Sequence, residues 1–181
     1  MKKRLLSLTA AAAAAVVALA SPAAASPTDD TIVTFTVGAA NLNIFAPPAV
    51  NLGSTFADTT IEGSIGPVQV VDQRATLNAS WVTTVSITEF VSGSGSPAEL
   101  ITPGLVEYWS GPATSTTGTG TFVPGQPTAT DRVSLSVPRT AFSKTSGSGN
   151  NSATWNPTIR INVPATAVSG TYSATVTHSV A

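Results

Sequence analysis

Apolar and polar positions alternate with period two along most of this chain. Over residues 158–163 (TIRINV), Ile159, Ile161 and Val163 fall on one side and Thr158, Arg160 and Asn162 on the other. After a break at residues 164–170, Tyr172, Ala174, Val176, His178 and Val180 share one parity, and Thr and Ser occupy the other. Successive side chains of a pleated strand point to opposite faces, so both runs predict strands with one covered face. The short Pro- and Gly-bounded connection predicts that they pair as antiparallel neighbours. Further strands are expected over residues 31–37 (TIVTFTV), 42–45, 51–60 with a break at Gly53, 68–72 and 105–110. The most regular is residues 79–90 (ASWVTTVSITEF), and residues 131–137 (DRVSLSV) place Val133, Leu135 and Val137 inward. Gly-, Ser- and Thr-rich residues 92–97, 111–120 and 144–152 read as connections.

No stretch after the first residues carries a 3.6-residue apolar stripe. About eight to ten short strands with Gly/Pro punctuation predict an all-β fold, a two-layer antiparallel β-sandwich of immunoglobulin-like or jelly-roll-like type. The start differs in kind. Lys2, Lys3 and Arg4 precede an uncharged Ala-rich run from Leu5 to Ala20, and small residues follow to Ala25. This is the pattern of a secretory signal peptide, a helix in most such leaders, cleaved between Ala25 and Ser26. The run is about 15 residues, short of the roughly 20 that a spanning helix needs, so no transmembrane segment is expected in the mature chain. The organisation expected is a signal peptide at 1–25, a flexible mature N-terminus at 26–30 and one domain at 31–181.

Of 181 residues, cleavage would leave 156, about one domain's worth. There are no cysteines, which excludes disulfides, thiolate metal sites, a cysteine nucleophile and a lipidated cysteine. Three of the eight basic residues lie in the leader and none of the nine acidic ones does, so the mature charge is −4. Scattered single charges and mild acidity point away from nucleic acid, which requires clustered Lys and Arg.

Groups that move protons are scarce. His178 is the only histidine and sits on the apolar parity of its strand, where a partly buried structural ring is expected. No metal site and no cofactor are expected. No serine lies in a Gly-x-Ser-x-Gly turn. Glu89, Glu99 and Glu107 are the carboxylates a glycosidase reading would have to use, and solvated surface positions are expected for them. Trp81 heads the most regular strand and is expected in the core, whereas Trp109 and Trp155 flank Gly-rich connections and fit either burial or a sugar-stacking role. Asp72 and Arg74, two apart at a strand end, are expected to form a structural ion pair. Asn78-Ala79-Ser80 and Asn150-Asn151-Ser152 match the glycosylation triplet.

These elements together resemble the WxL surface-protein domain of Gram-positive bacteria, in which a V-x-D-x-R segment runs into a Trp-x-Leu strand. A Gly-rich approach to a Trp and a Val-Pro hairpin follow, closing on G-T-Y-x-A and a second Trp-x-Leu. Residues 70–74 (VVDQR), 80–83 (SWVT), 147–155, Val163-Pro164, 170–174 (GTYSA) and 176–180 (VTHSV) stand at those places. Both triplets are altered: Trp81-Val82-Thr83 lacks the Leu, and His178-Ser179-Val180 lacks the Trp. Such forms resemble secreted members from high-GC Gram-positives. The resemblance implies a non-catalytic module held non-covalently on the cell wall through peptidoglycan, with Trp81, Val82, Thr83, His178, Ser179 and Val180 as its contact residues. The alternative is an adhesin or assembly subunit that binds another surface protein through a sheet edge or loops, and the third is a carbohydrate-active enzyme. The chain carries no LPxTG-type sorting signal.

Overall fold

The computed structural model describes residues 31–181. The expected signal peptide, its Ala25–Ser26 cleavage point and the flexible stretch 26–30 lie outside the described residues. Residues 37–181 form one compact unit, and residues 31–36 belong to a separate one. The strand expected at 31–37 does not form: the segment has no regular structure, and Ile32, Val33, Phe35 and Val37 are 90%, 82%, 86% and 73% exposed.

The compact unit is all-β. Its strands are β1 (Leu42–Phe45), β2 (Thr60–Ser64), β3 (Val68–Asp72), β4 (Trp81–Ile87), β5 (Phe90–Val91), β6 (Leu100–Ile101) and β7 (Val106–Trp109). They continue as β8 (Ala113–Thr117), β9 (Phe122–Pro124), β10 (Val133–Ser134), β11 (Arg139–Lys144), β12 (Asn151–Trp155), β13 (Thr158–Asn162) and β14 (Val176–Val180). The only helical pieces among the described residues are three-residue 3-10 turns at Pro97–Glu99, Pro103–Leu105 and Ala129–Asp131.

Three four-stranded antiparallel sheets run β1-β3-β12-β8, β10-β7-β13-β2 and β14-β4-β11-β9, beside a two-stranded β5-β6. The first two are halves of one layer. Three chain segments cross from one half to the other, β2 into β3, β7 into β8 and β12 into β13, and they are neighbours in both halves. Each crossing contains a proline, in Gly66-Pro67, Gly111-Pro112 and Asn156-Pro157. Proline has no N–H to give to a ladder, so three prolines at one level interrupt the pairing along a line and the layer folds there. The Ile65 N–H donates to the Pro157 carbonyl at 3.0 Å across this fold line. The sheet β14-β4-β11-β9 is the opposing layer, and the architecture is an antiparallel β-sandwich.

The core lies between the layers. Val68, Val70, Ala153 and Trp155 enter from one half of the bent layer, and Val106, Tyr108, Ile159 and Ile161 from the other; Trp81, Val85, Ala141 and Phe142 come from the facing sheet. An unbroken aromatic series links both layers. Ring centroids lie 6.4 Å apart for Phe122–Trp81, 6.3 Å for Trp81–Phe142, 4.8 Å for Phe142–Trp155, 6.5 Å for Trp155–His178 and 5.9 Å for His178–Tyr108.

Several expectations are corrected. The two C-terminal runs are strands but not neighbours: β13 pairs with β2 and β7, and β14 pairs with β4 in the other layer. Residues 51–57 are not a strand, and the ladder starts at Thr60. The run 131–137 shortens to Val133–Ser134; Leu135 is buried, but Val137 is 51% exposed. Residues 113–117, read as a connection, form β8.

Candidate functional site

The two altered motif triplets end up side by side. β4 and β14 pair in the register His178↔Val85, Ser179↔Thr84 and Val180↔Thr83, and Val82 exchanges both backbone hydrogen bonds with Ala181 at 2.9 and 3.1 Å. Period two then divides each triplet between two faces. Trp81 and Thr83 point inward and are 1% and 0% exposed, and His178 and Val180 are half-buried on the same side. Val82 is 45% exposed and Ser179 is exposed on the outside.

Trp81 is held by a polar network under the end of the sandwich. Its Nε1–H donates to Asn151 Oδ1 at 2.8 Å, and Asn151 Nδ2 donates to Asp72 Oδ2 at 3.2 Å. Arg74 makes a two-pronged contact with Asp72, Nε to Oδ1 at 2.9 Å and Nη2 to Oδ2 at 3.0 Å. Arg74 Nη2 also reaches the Ser80 carbonyl at 2.7 Å, next to Trp81. Asp72 has no exposed surface. Burial alone would raise its carboxyl pKa, but the Arg74 and Asn151 hydrogen bonds and the Arg74 charge outweigh it and hold the group below its ordinary value. The expected Asp72–Arg74 pair therefore exists and orients the indole through Asn151. Lys144 joins from β11. It is 1% exposed, and its Nζ donates to the carbonyls of Ala79 at 2.5 Å and Ser146 at 2.6 Å. Burial and the Arg74 charge lower its pKa, opposed by the charge of Asp72.

From sequence Asn151 is read only as part of a glycosylation triplet and Lys144 only as the start of a connection, although a signal for burial existed. Each shares strand parity with a core aromatic residue, Asn151 with Trp155 and Lys144 with Phe142.

His178 has a different setting. Its Nε2 lies 3.3 Å from the Tyr108 hydroxyl. Burial lowers the imidazole pKa to about 4 and pushes the Tyr108 phenol well above its usual range. A neutral ring can accept the tyrosine O–H at Nε2, and the tautomer is assigned on that ground. Trp155 is fully buried, so the sugar-stacking alternative does not hold for it; Trp109 is half-exposed on the outer face of β7.

The outer face of the β14-β4-β11-β9 sheet is uncharged and rich in hydroxyl groups. Ser179, Thr84 and Thr140 stand abreast, as do Thr177 and Ser86, and Val82, Ser143 and Val123 form a third row. Such a face can donate and accept hydrogen bonds without moving counterions. Beside its end lies an open depression of about 470 Å³ lined by Thr88, Glu89, Val91 and Ser173 to Thr175.

Two of the other carboxylates, Glu99 and Glu107, have protein partners. Glu99 accepts from the Ser96 N–H at 2.9 Å and the Ser94 hydroxyl at 3.1 Å, and the Ser96 contacts hold its pKa below the usual value. Glu107 lies 3.1 Å from Arg132 and 3.8 Å from Arg160. Among the described residues, no group of three or more His, Asp or Glu side chains is placed to hold a metal ion, and no helix is long and apolar enough to cross a membrane. No protein-family model, curated protein or solved structure matches this chain.

Proposed function

We propose that this is a secreted, non-catalytic surface module that associates non-covalently with the cell wall, with peptidoglycan as the partner. The observation that carries the reading is the pairing of β4 with β14. It sets the two altered Trp-x-Leu-like triplets in adjacent strands, with Val82 and Ser179 on one exposed, uncharged, hydroxyl-bearing sheet face. The triplets divide their work under this reading. Trp81, Thr83, His178 and Val180 build the core beneath, while Val82 and Ser179, with Thr84 and Thr140 beside them, meet a polymer of sugar hydroxyls and amides. The engagement of Glu99 by serines and of Glu107 by arginines supports a binding role over a catalytic one.

Pull-down with purified walls tests this. The double variant Thr84→Glu/Ser179→Glu should lose at least tenfold in wall binding, because two carboxylates on the face would be desolvated without partners, and its thermal transition should stay within a few degrees of wild type. His178→Trp, which restores an aromatic signature residue at an inward position, should leave binding unchanged. Undiminished binding by the glutamate variant defeats the assignment of this face.

A second reading, an assembly subunit whose partner is a protein, is favoured by the exposed apolar residues at 32–37.

A further inference from the structure

The second reading leaves open which segment and which partner are involved, and the inference here rests on that reading. Residues 31–37 read Thr-Ile-Val-Thr-Phe-Thr-Val: every one is β-branched or aromatic, and none is charged or proline. These are the residue types that fit a pleated, half-buried surface, yet Ile32, Val33 and Phe35 are more than 80% exposed. Seven such residues have the composition of a strand, and among the described residues no strand pairs with them. Natural proteins avoid leaving such a segment bare because it pairs with any available edge.

The compact unit offers an edge of matching chemistry. β2 ends its sheet, and among the described residues no strand pairs with its outer edge. Its inward residue Ile61 is only half-buried. The chain leading into β2 adds Leu52, also half-buried and packed on Gly63, and the exposed Val50 (50%) and Phe56 (82%). The other five-residue edges fit less well. β8 carries only hydroxyl side chains after Ala113, and β14 lies against β1. A strand beside β2 would bring Val33, Phe35 and Val37 over Ile61 and the apolar lead-in, and Thr34 and Thr36 to the side that carries Glu62.

We infer that residues 31–37 of one molecule add as a strand to the β2 edge of a second copy of this chain. Donor and acceptor are different surfaces of one polypeptide, so each molecule offers both and the contact is head-to-tail. A seven-residue strand laid along an edge buries on the order of 1,000 Å² counting both partners, at the lower limit for a specific interface. The assembly is accordingly expected to be reversible and concentration-dependent. Backbone ladder bonds supply its affinity and alternate side chains its register.

Light scattering across a concentration series, on the full chain and on its Val33→Asp/Phe35→Asp variant, gives the first test. Wild type should form dimers and longer species, and the variant should need about a hundredfold more protein to do so, because two buried apolar side chains per junction are lost. Both positions precede the compact unit, so circular dichroism of the two proteins should coincide. Identical association by both overturns the inference. The second test uses the absence of native cysteines. A Val33→Cys chain mixed with an Ile61→Cys chain under mild oxidation should give the mixed disulfide several-fold over either homodimer. Association without that cross-link overturns the β2 assignment while leaving a protein partner in place, and wall binding is read independently by the Thr84/Ser179 variant.

Discussion

His178 shows how one residue's setting turns into a solution property. Its ring sits between those of Trp155 and Tyr108, edge-on to the first and tilted to the second, and burial lowers its pKa from 6.5 to about 4. The folded state therefore stays neutral at pH values where the unfolded chain already takes up a proton. A group with a depressed folded pKa of this kind favours unfolding as pH falls: the loss begins near pH 6.5 and is complete below about pH 4. From the shift, the full effect is about 3 kcal/mol. Asp72 adds acid sensitivity at lower pH, since its lowered pKa supplies stability that is lost as the carboxylate is protonated. The two are separable. His178→Phe should flatten the dependence of urea-unfolding free energy on pH between 6.5 and 4 and leave the steeper loss below it. An unchanged slope in that variant would show that the ring is solvated. The position of His178 on the covered parity was legible in the sequence. The Tyr108 hydroxyl that meets it comes from a strand 70 positions earlier, and periodicity carries no information about such a pairing.

At the scale of strands, legibility followed contrast between the two faces. β13 and β14 have apolar residues, with His178, on one parity and polar residues on the other; β4 departs from this at Val82 and Thr83, β3 and β7 show as short apolar-rich runs, and the sequence showed all five. β8 has Thr or Ser at four of its five positions, so neither face is marked and only its partner β12 defines it. β11 is interrupted by a bulge between Thr140 and Phe142 that buries Ala141 and Phe142 in succession and destroys period two. The loops hide a further constraint. Gly147 has φ +96°, and a Cβ there would stand 2.1 Å from the Thr119 carbonyl oxygen; at Gly120, φ +119°, a Cβ would meet Ser146 O. The 118–121 and 145–149 connections thus interlock backbone to backbone, and Lys144 and the Ala79 N–H→Gly147 carbonyl bond of 2.9 Å tie them to the start of β4. Gly147→Ala should cost about 2 kcal/mol or more, through left-handed strain and the forced separation of the two backbones. Gly149→Ala, also at positive φ but with open space around it, should cost about 1 kcal/mol. Equal losses in thermal melts of the two variants would mean that the interlock contributes nothing beyond backbone strain.

Considered as a whole, the molecule is built almost entirely from pairings between distant parts of the chain. β4 joins β11 and β14, β3 joins β12, and β13 joins β2 and β7. Such topologies fold on the millisecond-to-second scale because loop closure precedes the contacts that reward it. β14 pairs across one of these wide gaps, Val176 with Ile87 and Val180 with Thr83. It enters the layer opposite to β13, its register with β4 runs as far as the Val82–Ala181 pair, and its inward residues Val176, His178 and Val180 cover one side of the aromatic series. Each of these half-buried side chains contributes roughly 1–2 kcal/mol. With the lost ladder, their removal takes a large share of the 5–15 kcal/mol that holds a typical domain together. A chain shortened after Thr175 should therefore lose its cooperative thermal transition and the near-ultraviolet dichroism of Trp155 and Tyr108. Deleting Ala181 alone removes only the two bonds to Val82 and should lower the midpoint by a few degrees with its sharpness intact. If the shortened chain still melts sharply, the two layers close without β14. The paired triplets would then be an addition to a complete sandwich, and the Thr84/Ser179 face would have to be sought as a detachable element.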